Sequence, residues 1–486
     1  MLEGHTMEEV LIVRFSEIAL KSPRIRRWMI SRLRKNLEDA LKAAGAPGRV
    51  EEKWERIYIW TEDVKKASEA AGRVFGVRSL SPAVAYEYMD LEDLIEKAAT
   101  WAEERVRGRK FAVRARRDKD LPFTSMDIMV KLGERLKPLG EVDLTSPQVT
   151  VNVEVRGRVV YLFSEVLEGP GGLPLGTQGR ALSLLSGGFD SAVSSWYVMR
   201  RGVELDYVTF SLAGPLQMRD ALLVAGVLSS HWSHGYRPTL HLVDFSGVLD
   251  EIERVVQAPL RGVVLRHLFY RAAEMIADEE GHLSLVTGES LGQVSSQTLS
   301  NLSAASAGIG LPILRPLIGM DKEEIIGKAR EIGTAELSEK VVEYCAIARG
   351  SSINLSRERF IQILKNMNLR VLEEAVEGRW KVKLPDGAPG ALSEIESRIE
   401  SWRYRGDEGE DVVRVNYGKG VQVVTPNGFP LTGRELKRAL KGLKGGEGVH
   451  RLPRGFTYVF SCPTGGWAVR MVSLLRSLGY DAYYSH

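Results

Sequence analysis

The chain has 486 residues, 44% of them hydrophobic and 27% charged, with a net charge of +3. That length predicts roughly three or four domains, and the composition is that of an ordinary soluble globular protein. Two cysteines are too few for a disulfide scaffold or a Cys-rich metal site and fit a reducing cytoplasm, no apolar run approaches the roughly 20 residues that span a bilayer, and the acidic Met1–Glu9 start lacks the apolar stretch of a secretory signal.

In chain order, Glu9–Phe15 reads as a strand, and Ser22-Pro23 as an N-cap with proline in the first helical turn. The following helix places Ile25, Trp28, Met29, Leu33, Leu37 and Leu41 on one stripe and turns Arg24, Arg26, Arg27, Arg32 and Arg34 outward. Arg56–Trp60 is a short strand and Leu91–Arg107 an amphipathic helix. Phe111–Arg117 alternates as a strand, with Phe111, Val113 and Ala115 on one face and Arg114 and Arg116 on the other. A helix over Ser125–Leu136 and strands over Gln148–Val155 and Val159–Ser164 complete an α+β unit. Clustered arginines of this kind either track phosphates or form solvated faces, and charge alone does not decide between them.

Gly169–Gly176 reads as a linker. Beyond it, strands at Ala181–Leu185, Leu205–Phe210, Thr239–Phe245 and Leu283–Thr287 alternate with helices, which predicts a doubly wound parallel sheet. Asp321 with Glu324 opens a helix that ends near Gly333. Leu384–Gly390 and the acidic Asp407–Asp411 precede a last small module, with Leu384–Asp411 expected as a flexible joint.

The most informative segment is Ser186-Gly187-Gly188-Phe189-Asp190-Ser191, between the first of these strands and a helix over Ser191–Arg201. Strand, glycine turn and helix N-terminus together present backbone N–H groups to an anion. Gly187 and Gly188 let the backbone approach phosphate oxygens without a Cβ in the way, and Ser186 and Ser191 add hydroxyls. Asp190 cannot hold phosphate by itself, which points to a magnesium ion or a proton-transfer role. The loop lacks the lysine of the Walker type. It resembles the SGGxDS loops that typically serve enzymes cleaving ATP to AMP and pyrophosphate to adenylate a substrate; an ordinary strand-to-helix turn is the competing reading. In a parallel sheet the Thr287–Ser290 turn lies at the same strand ends and shares the cleft.

Together these strings resemble the tRNA 4-thiouridine synthase family, the tRNA sulfurtransferases, also implicated in thiamine thiazole synthesis. Arg14–Lys21 is similar to its ferredoxin-like opening. Val113–Arg117, Phe123–Ser125 and Gly171–Gly176 are similar to its THUMP domain and exit, and the 186–191 loop, Thr287–Thr298 and Leu314–Lys322 to its ATP-handling domain. The resemblance implies a ferredoxin-like domain at 1–60, a THUMP tRNA-binding domain at 61–167, an ATP pyrophosphatase domain at 177–383 and a rhodanese-like α/β module at 404–486. It implies ATP contacts from Leu184, Leu185, Arg266, Gly288 and Gln297, and tRNA bound through the first two domains, with Arg24, Arg27, Arg114 and Arg116 as the arginines to test. Three departures stand out: Ala192 where the family often has proline, Ser211–Pro215 where it has a His-Ser-Pro-Pro-like stretch, and a rhodanese-like module, absent from many members, that is degenerate here and lacks the usual Asp-Ile-Arg start.

Cys462 follows an apolar strand and precedes Pro463–Trp467 and a helix, a setting that resembles the rhodanese active loop and favours a thiolate or persulfide; a buried structural cysteine is the competing reading. Cys345 alone reads as structural, and the resemblance makes it the second redox cysteine. The implied chemistry is adenylation of uridine at its C4 oxygen, sulfur from a Cys462 persulfide, and a Cys345–Cys462 disulfide to be reduced. That requires tRNA, ATP with transient Mg2+, a cysteine desulfurase or other sulfur donor, and a disulfide reductant. No iron–sulfur cluster or protein-held metal is expected, and a homodimer stays open. The alternatives are another adenylating tRNA-modifying enzyme, an RNA-binding protein with a vestigial nucleotide domain, and a sulfur relay for thiamine synthesis that uses only the C-terminal module.

Overall fold

The computed structural model describes residues 7–212, 214–294, 297–341, 357–403, 411–417, 421–443, 452–461, 468, 471–472, 475–476 and 479–485. They fall into two compact units. One comprises the chain to Gln178 together with Arg200–Gly202 and His234–Tyr236, and the other the rest. No helix among the described residues is long and apolar enough to cross a membrane.

The first unit runs β1 (Glu8–Phe15), α1 (Pro23–Ala43), β2 (Arg49–Lys53), β3 (Arg56–Trp60), α2 (Val64–Ala71), β4 (Val77–Glu87), α3 (Leu91–Val106), β5 (Lys110–Arg117), α4 (Ser125–Leu136), β6 (Glu141–Val142), β7 (Val149–Arg156), β8 (Val159–Phe163) and β9 (Leu167–Glu168). All nine strands join one mixed sheet in the order β2-β3-β1-β4-β8-β7-β5-β6, with β9 on β4. Helices α1 and α2 close one core with β1, β3 and β4, and α3 and α4 close a second with β5, β7 and β8. A third cluster, which includes Tyr58, Ala83, Ala85, Tyr161 and Phe163, contains no helix residue. Strands spaced about 4.8 Å apart would put β3 and β8 roughly 14 Å from each other in a flat sheet. The Tyr58 and Tyr161 ring centroids are 4.9 Å apart, so the sheet curls until it buries its own inner face.

Two expectations change here. Ile25 and Trp28 stay 40% and 48% exposed, and the buried stripe of α1 starts at Met29 and includes Ile30, Asn36 and Ala40. The 169–176 linker is stitched to the sheet. Gly169 N–H donates to Arg78, Gly171 N–H to Val77, and Leu173 and Leu175 are buried.

The second unit continues β10 (Arg180–Leu184), α5 (Phe189–Arg200), β11 (Glu204–Ser211), α6 (Pro215–Trp232), β12 (Thr239–Asp244), α7 (Ser246–Val255), α8 (Arg261–Glu280), β13 (Leu285–Val286), α9 (Leu299–Ala305), β14 (Ile313–Leu314), α10 (Lys322–Ile332), α11 (Ala335–Ser338), α12 (Arg357–Lys365), α13 (Arg370–Glu377), β15 (Trp380–Lys383) and α14 (Ala388–Glu400). The sheet order is β14-β13-β10-β11-β12-β15. The first five strands are parallel, and β15 is an antiparallel edge, so the sheet is mixed rather than wholly parallel. The Asp321–Glu324 capping box opens α10, and Gly333 closes it in the left-handed region with φ +84°; such a cap is worth about 1 kcal/mol.

The flexible joint expected over Leu384–Asp411 is an ordered element in its first half. Leu384 is buried, and α14 buries Ala391, Ile395 and Ile399 on one stripe; residues 404–410 lie outside the described residues. Beyond them β16 (Val412–Tyr417), β17 (Val421–Val424), α15 (Gly433–Leu443), β18 (Thr457–Ser461) and β19 (Ala482–Ser485) form a small α/β module with strand order β17-β16-β18-β19. Ala468, Met471, Val472 and Leu475, spaced as one face of a helix, fill its core with Val413, Val415, Tyr458 and Phe460.

Candidate active site

In the second unit, β10 is followed in sequence by β11 on one side and is paired with β13 on the other. The winding direction therefore reverses at β10, and the crevice beyond the carboxyl ends of β10 and β13 is where such sheets bind ligands. The glycine loop and the Thr287–Ser290 turn both emerge there.

The loop is fixed by its own side chains. Ser191 Oγ donates to the Gly188 carbonyl at 3.0 Å and accepts from Ser186 N–H at 3.2 Å. From outside, Ser338 Oγ donates to the Gly187 carbonyl at 2.9 Å and Thr209 Oγ1 to the Leu185 carbonyl at 2.7 Å. With these carbonyls taken, the N–H groups of Gly187, Phe189 and Asp190 meet no acceptor among the described residues. Amides left without an acceptor at the head of a helix are the arrangement by which helix N-termini can take up an anion. Gly187 has φ +84°, and a Cβ there would press on the backbone of Asp220 at 3.2 Å. Asp190, on the first turn of α5, accepts from Lys322 Nζ at 2.9 Å and from Gln293 Nε2 at 3.0 Å.

Gly288 is the contact between the two loops. A Cβ built on it would lie 2.6 Å from the Asp190 carbonyl carbon and 2.7 Å from Ser191 N. The next residue, Glu289, is 2% exposed. Its Oε1 accepts from Arg266 Nη1 and the Tyr270 hydroxyl, and its Oε2 from Arg315 Nε and Thr287 Oγ1, both at 2.7 Å. Burial by itself would raise the Glu289 carboxyl. Arg266, the Tyr270 hydroxyl and Arg315 outweigh it and hold the carboxyl below its usual range. The Tyr270 phenol is pushed up, first by burial and then by the Glu289 charge.

Of the expected nucleotide contacts, Leu184, Leu185, Ser186, Gly187, Gly188, Asp190, Ser191 and Gly288 come together at this edge. Leu185 is buried, and its N–H donates to the Val208 carbonyl at 2.8 Å. Arg266 reaches the edge from α8 through Glu289. Gln297 closes the 288–298 turn, its side-chain oxygen accepting from Ser290 N–H at 3.3 Å. Ala192 is fully buried within α5. The 211–215 departure forms a turn in which Ser211 Oγ donates to the Gly214 carbonyl at 2.7 Å, and Pro215 opens α6. Glu289, Gln293, Arg315 and Lys322 received no roles from the sequence, although all four lie inside the 287–298 and 314–322 strings that carry the resemblance.

In the first unit, Arg24 and Arg27 are exposed one turn apart on α1, and Arg114 and Arg116 lie on the β5 face opposite Phe111 and Val113. Several neighbouring cations hold protein groups instead: Arg26 pairs with Glu55, Arg32 donates to the Leu175 carbonyl, and Arg117 Nη1 donates to the carbonyls of Asp118 and Lys119. Arg114 donates to the Leu144 carbonyl at 2.8 Å, whereas the side chains of Arg24, Arg27 and Arg116 make no hydrogen bond or ion pair among the described residues. Cys345 and Cys462 both lie outside the described residues. Among the described residues no group of three or more His, Cys, Asp or Glu converges on a metal position.

Three stretches match known families: residues 10–81 the ThiI ferredoxin-like domain, 88–165 the THUMP domain, and 176–362 the family described as thiamine biosynthesis protein (ThiI). A tRNA sulfurtransferase of Desulfurococcus amylolyticus is 37% identical over 98% of this chain and 96% of its own length. A probable tRNA sulfurtransferase of Aeropyrum pernix is 44% identical over 72% of this chain and 90% of its own. Among solved structures, a 4-thiouridine synthetase in complex with RNA and bound ATP superposes with a TM-score of 0.70 at 31% identity, covering 78% of this chain and all of that one. The chain therefore belongs to the ThiI family of tRNA sulfurtransferases.

Proposed function

We propose that this protein is an ATP-dependent tRNA uridine 4-sulfurtransferase that acts on the uridine at position 8. The carrying observation is the loop at the β10–β13 switch point, with its unspent amides and with Asp190 and Lys322 at its mouth. The C4 oxygen of uridine is a poor leaving group. Attack of that oxygen on the α-phosphorus of ATP makes it the ester oxygen of AMP and expels pyrophosphate. Loop amides, Lys322 and the nearby arginines stabilise the charge that develops. Asp190 is the carboxylate at the loop that would hold a magnesium ion entering with ATP, and the ion would screen the phosphate charge.

Sulfur then replaces AMP. The terminal sulfur of a Cys462 persulfide attacks C4 and AMP departs with the former C4 oxygen. The Cys345 thiolate attacks Cys462 Sγ, the S–S bond breaks, and the sulfur left on C4 keeps the electron pair as a thiocarbonyl. A dithiol reductant returns the Cys345–Cys462 disulfide to two thiols. In this reading 1–60 and 61–167 hold the tRNA, 177–383 adenylates it, and 404–486 carries sulfur as a rhodanese-like module. The exposed Arg24, Arg27, Arg114 and Arg116 favour the first part, and the parallel β16-β18-β19 order, with Cys462 directly after β18, favours the last. Nucleoside mass spectra of tRNA from cells with and without the protein test the proposal. Loss of 4-thiouridine alone supports it, and an unchanged 4-thiouridine content with loss of a different modification refutes it.

A further inference from the structure

We propose that Glu289 is a positioning residue that holds Arg266 and Arg315 as a fixed pair of cations for the nucleotide, and that Arg315 is itself a nucleotide-binding residue. The inference rests on the adenylating role given to this cleft.

Three observations carry it. First, each carboxylate oxygen of Glu289 already accepts two hydrogen bonds: Arg266 and Tyr270 on one, Arg315 and Thr287 on the other. A buried carboxylate so saturated has no position left for a metal, a substrate hydroxyl or a transferred proton. Its role is therefore exerted through its partners. Second, those partners come from three separate elements: Arg266 and Tyr270 from one face of α8, Thr287 from the end of β13, and Arg315 from just beyond β14. The single carboxylate fixes the relative positions of two guanidinium groups that the chain brings together only in the fold. Third, Glu289 directly follows Gly288, whose Cα abuts the Asp190–Ser191 peptide. The arginine pair is thus registered against the phosphate loop with little freedom between them.

Arg315 is further set by Ser306, which accepts from its Nη2 at 2.8 Å, and by the Tyr270 ring, whose centroid lies 5.9 Å from its Cζ. Its side chain retains 20% exposure, the same as Arg266. Cations held rigidly before the reaction need no reorganisation as charge moves onto the departing pyrophosphate, and a guanidinium suits phosphate better than a lysine would.

The test is a double-mutant cycle on the full-length protein with Glu289→Gln and Arg315→Ala. It reads ATP affinity by calorimetry, kcat and KM for pyrophosphate release in the presence of tRNA, and the melting temperature. Each single variant should lose about 100-fold in kcat/KM for ATP, and the double variant should lose little more, because Glu289 works through Arg315 and Arg266. Added guanidinium should restore part of the Arg315→Ala activity, a response that a structural role alone would not give. Glu289→Asp and Tyr270→Phe, which retain the charge, give the same comparison if Glu289→Gln does not fold. Fully additive losses, or a Glu289→Gln protein with altered melting but wild-type ATP affinity and turnover, would overturn the inference. Wild-type protein that binds ATP yet thiolates no tRNA would sink the functional reading, while the ATP-affinity cycle would still judge Glu289.

Discussion

Replacing Gly288 by alanine perturbs the cleft at a single atom whose consequences follow from distance. The added Cβ would sit 2.6 Å from the Asp190 carbonyl carbon, against 3.4 Å for an ordinary van der Waals contact. The opposing atoms are backbone and cannot rotate aside, so the two loops must part by about 0.8 Å, the difference between those distances. Misplacing reacting groups by about 1 Å costs on the order of 100-fold in rate, so Gly288→Ala should lower kcat for pyrophosphate release by nearly that factor. Binding of tRNA should hardly change, because the arginines assigned to it belong to the other unit. Gly319→Ala is the control: its Cβ meets nothing within 4 Å, and turnover should match wild type. Steady-state pyrophosphate release and filter binding of tRNA measure both quantities. A Gly288→Ala enzyme with turnover within about threefold of wild type would refute the claim that close loop apposition sets the rate.

Asp190→Ala should abolish ATP cleavage and leave tRNA affinity near normal; equal loss of tRNA affinity in filter binding would contradict that separation. Neutralising Arg24, Arg27, Arg114 and Arg116 together should weaken tRNA binding and flatten its salt dependence by up to about one unit of slope per lost phosphate contact; an unchanged slope would remove them from the interface. Cys462→Ser should stop thiolation from a persulfide donor, and Cys345→Ser should still accept sulfur but fail to turn over. Two free thiols after a wild-type single turnover, read by alkylation, would count against the disulfide step. His241 is fully buried, and burial first and then Arg379 push its pKa down to about 4 from an ordinary 6.5. Because the unfolded chain takes up this proton first, stability should be intact above pH 6.5 and fall as pH drops toward 4, by about 2 kcal/mol between pH 7 and pH 5. Urea titrations at both pH values measure this, and His241→Gln should lose the His241 part of the pH dependence.

What could be read from the sequence was whatever local chemistry enforces. Thr124 and Asp127 close a capping box, so α4 begins where the sequence places it, and the same holds for Asp321 and Glu324 at α10. The turn at 186–191 between β10 and α5 was legible for a related reason: its glycines and serines make contacts within six residues of one another. Elements stabilised by distant partners were not legible. β2, Arg-Val-Glu-Glu-Lys, has only one apolar residue and exists because β3 supplies its ladder. β14 is two residues long and gains its direction from β13, whereas β13 lies inside the strand expected over Leu283–Thr287, of which only Leu285 and Val286 join the ladder. Glu289 is the sharpest case. An acidic residue in a polar turn gives no sign that residues 266, 270 and 315 will surround it, because that arrangement exists only after α8, β13 and β14 have packed.

The central claim is that ATP is spent on adenylating a tRNA uridine that then receives sulfur. Purified protein, a tRNA transcript with uridine at position 8, α-labelled ATP and a persulfide donor, with a dithiol present, test it in one tube. AMP and pyrophosphate should form in step with 4-thiouridine, one for one, and neither should form with Asp190→Ala. Release of ADP and phosphate, or 4-thiouridine formed without ATP, would contradict it.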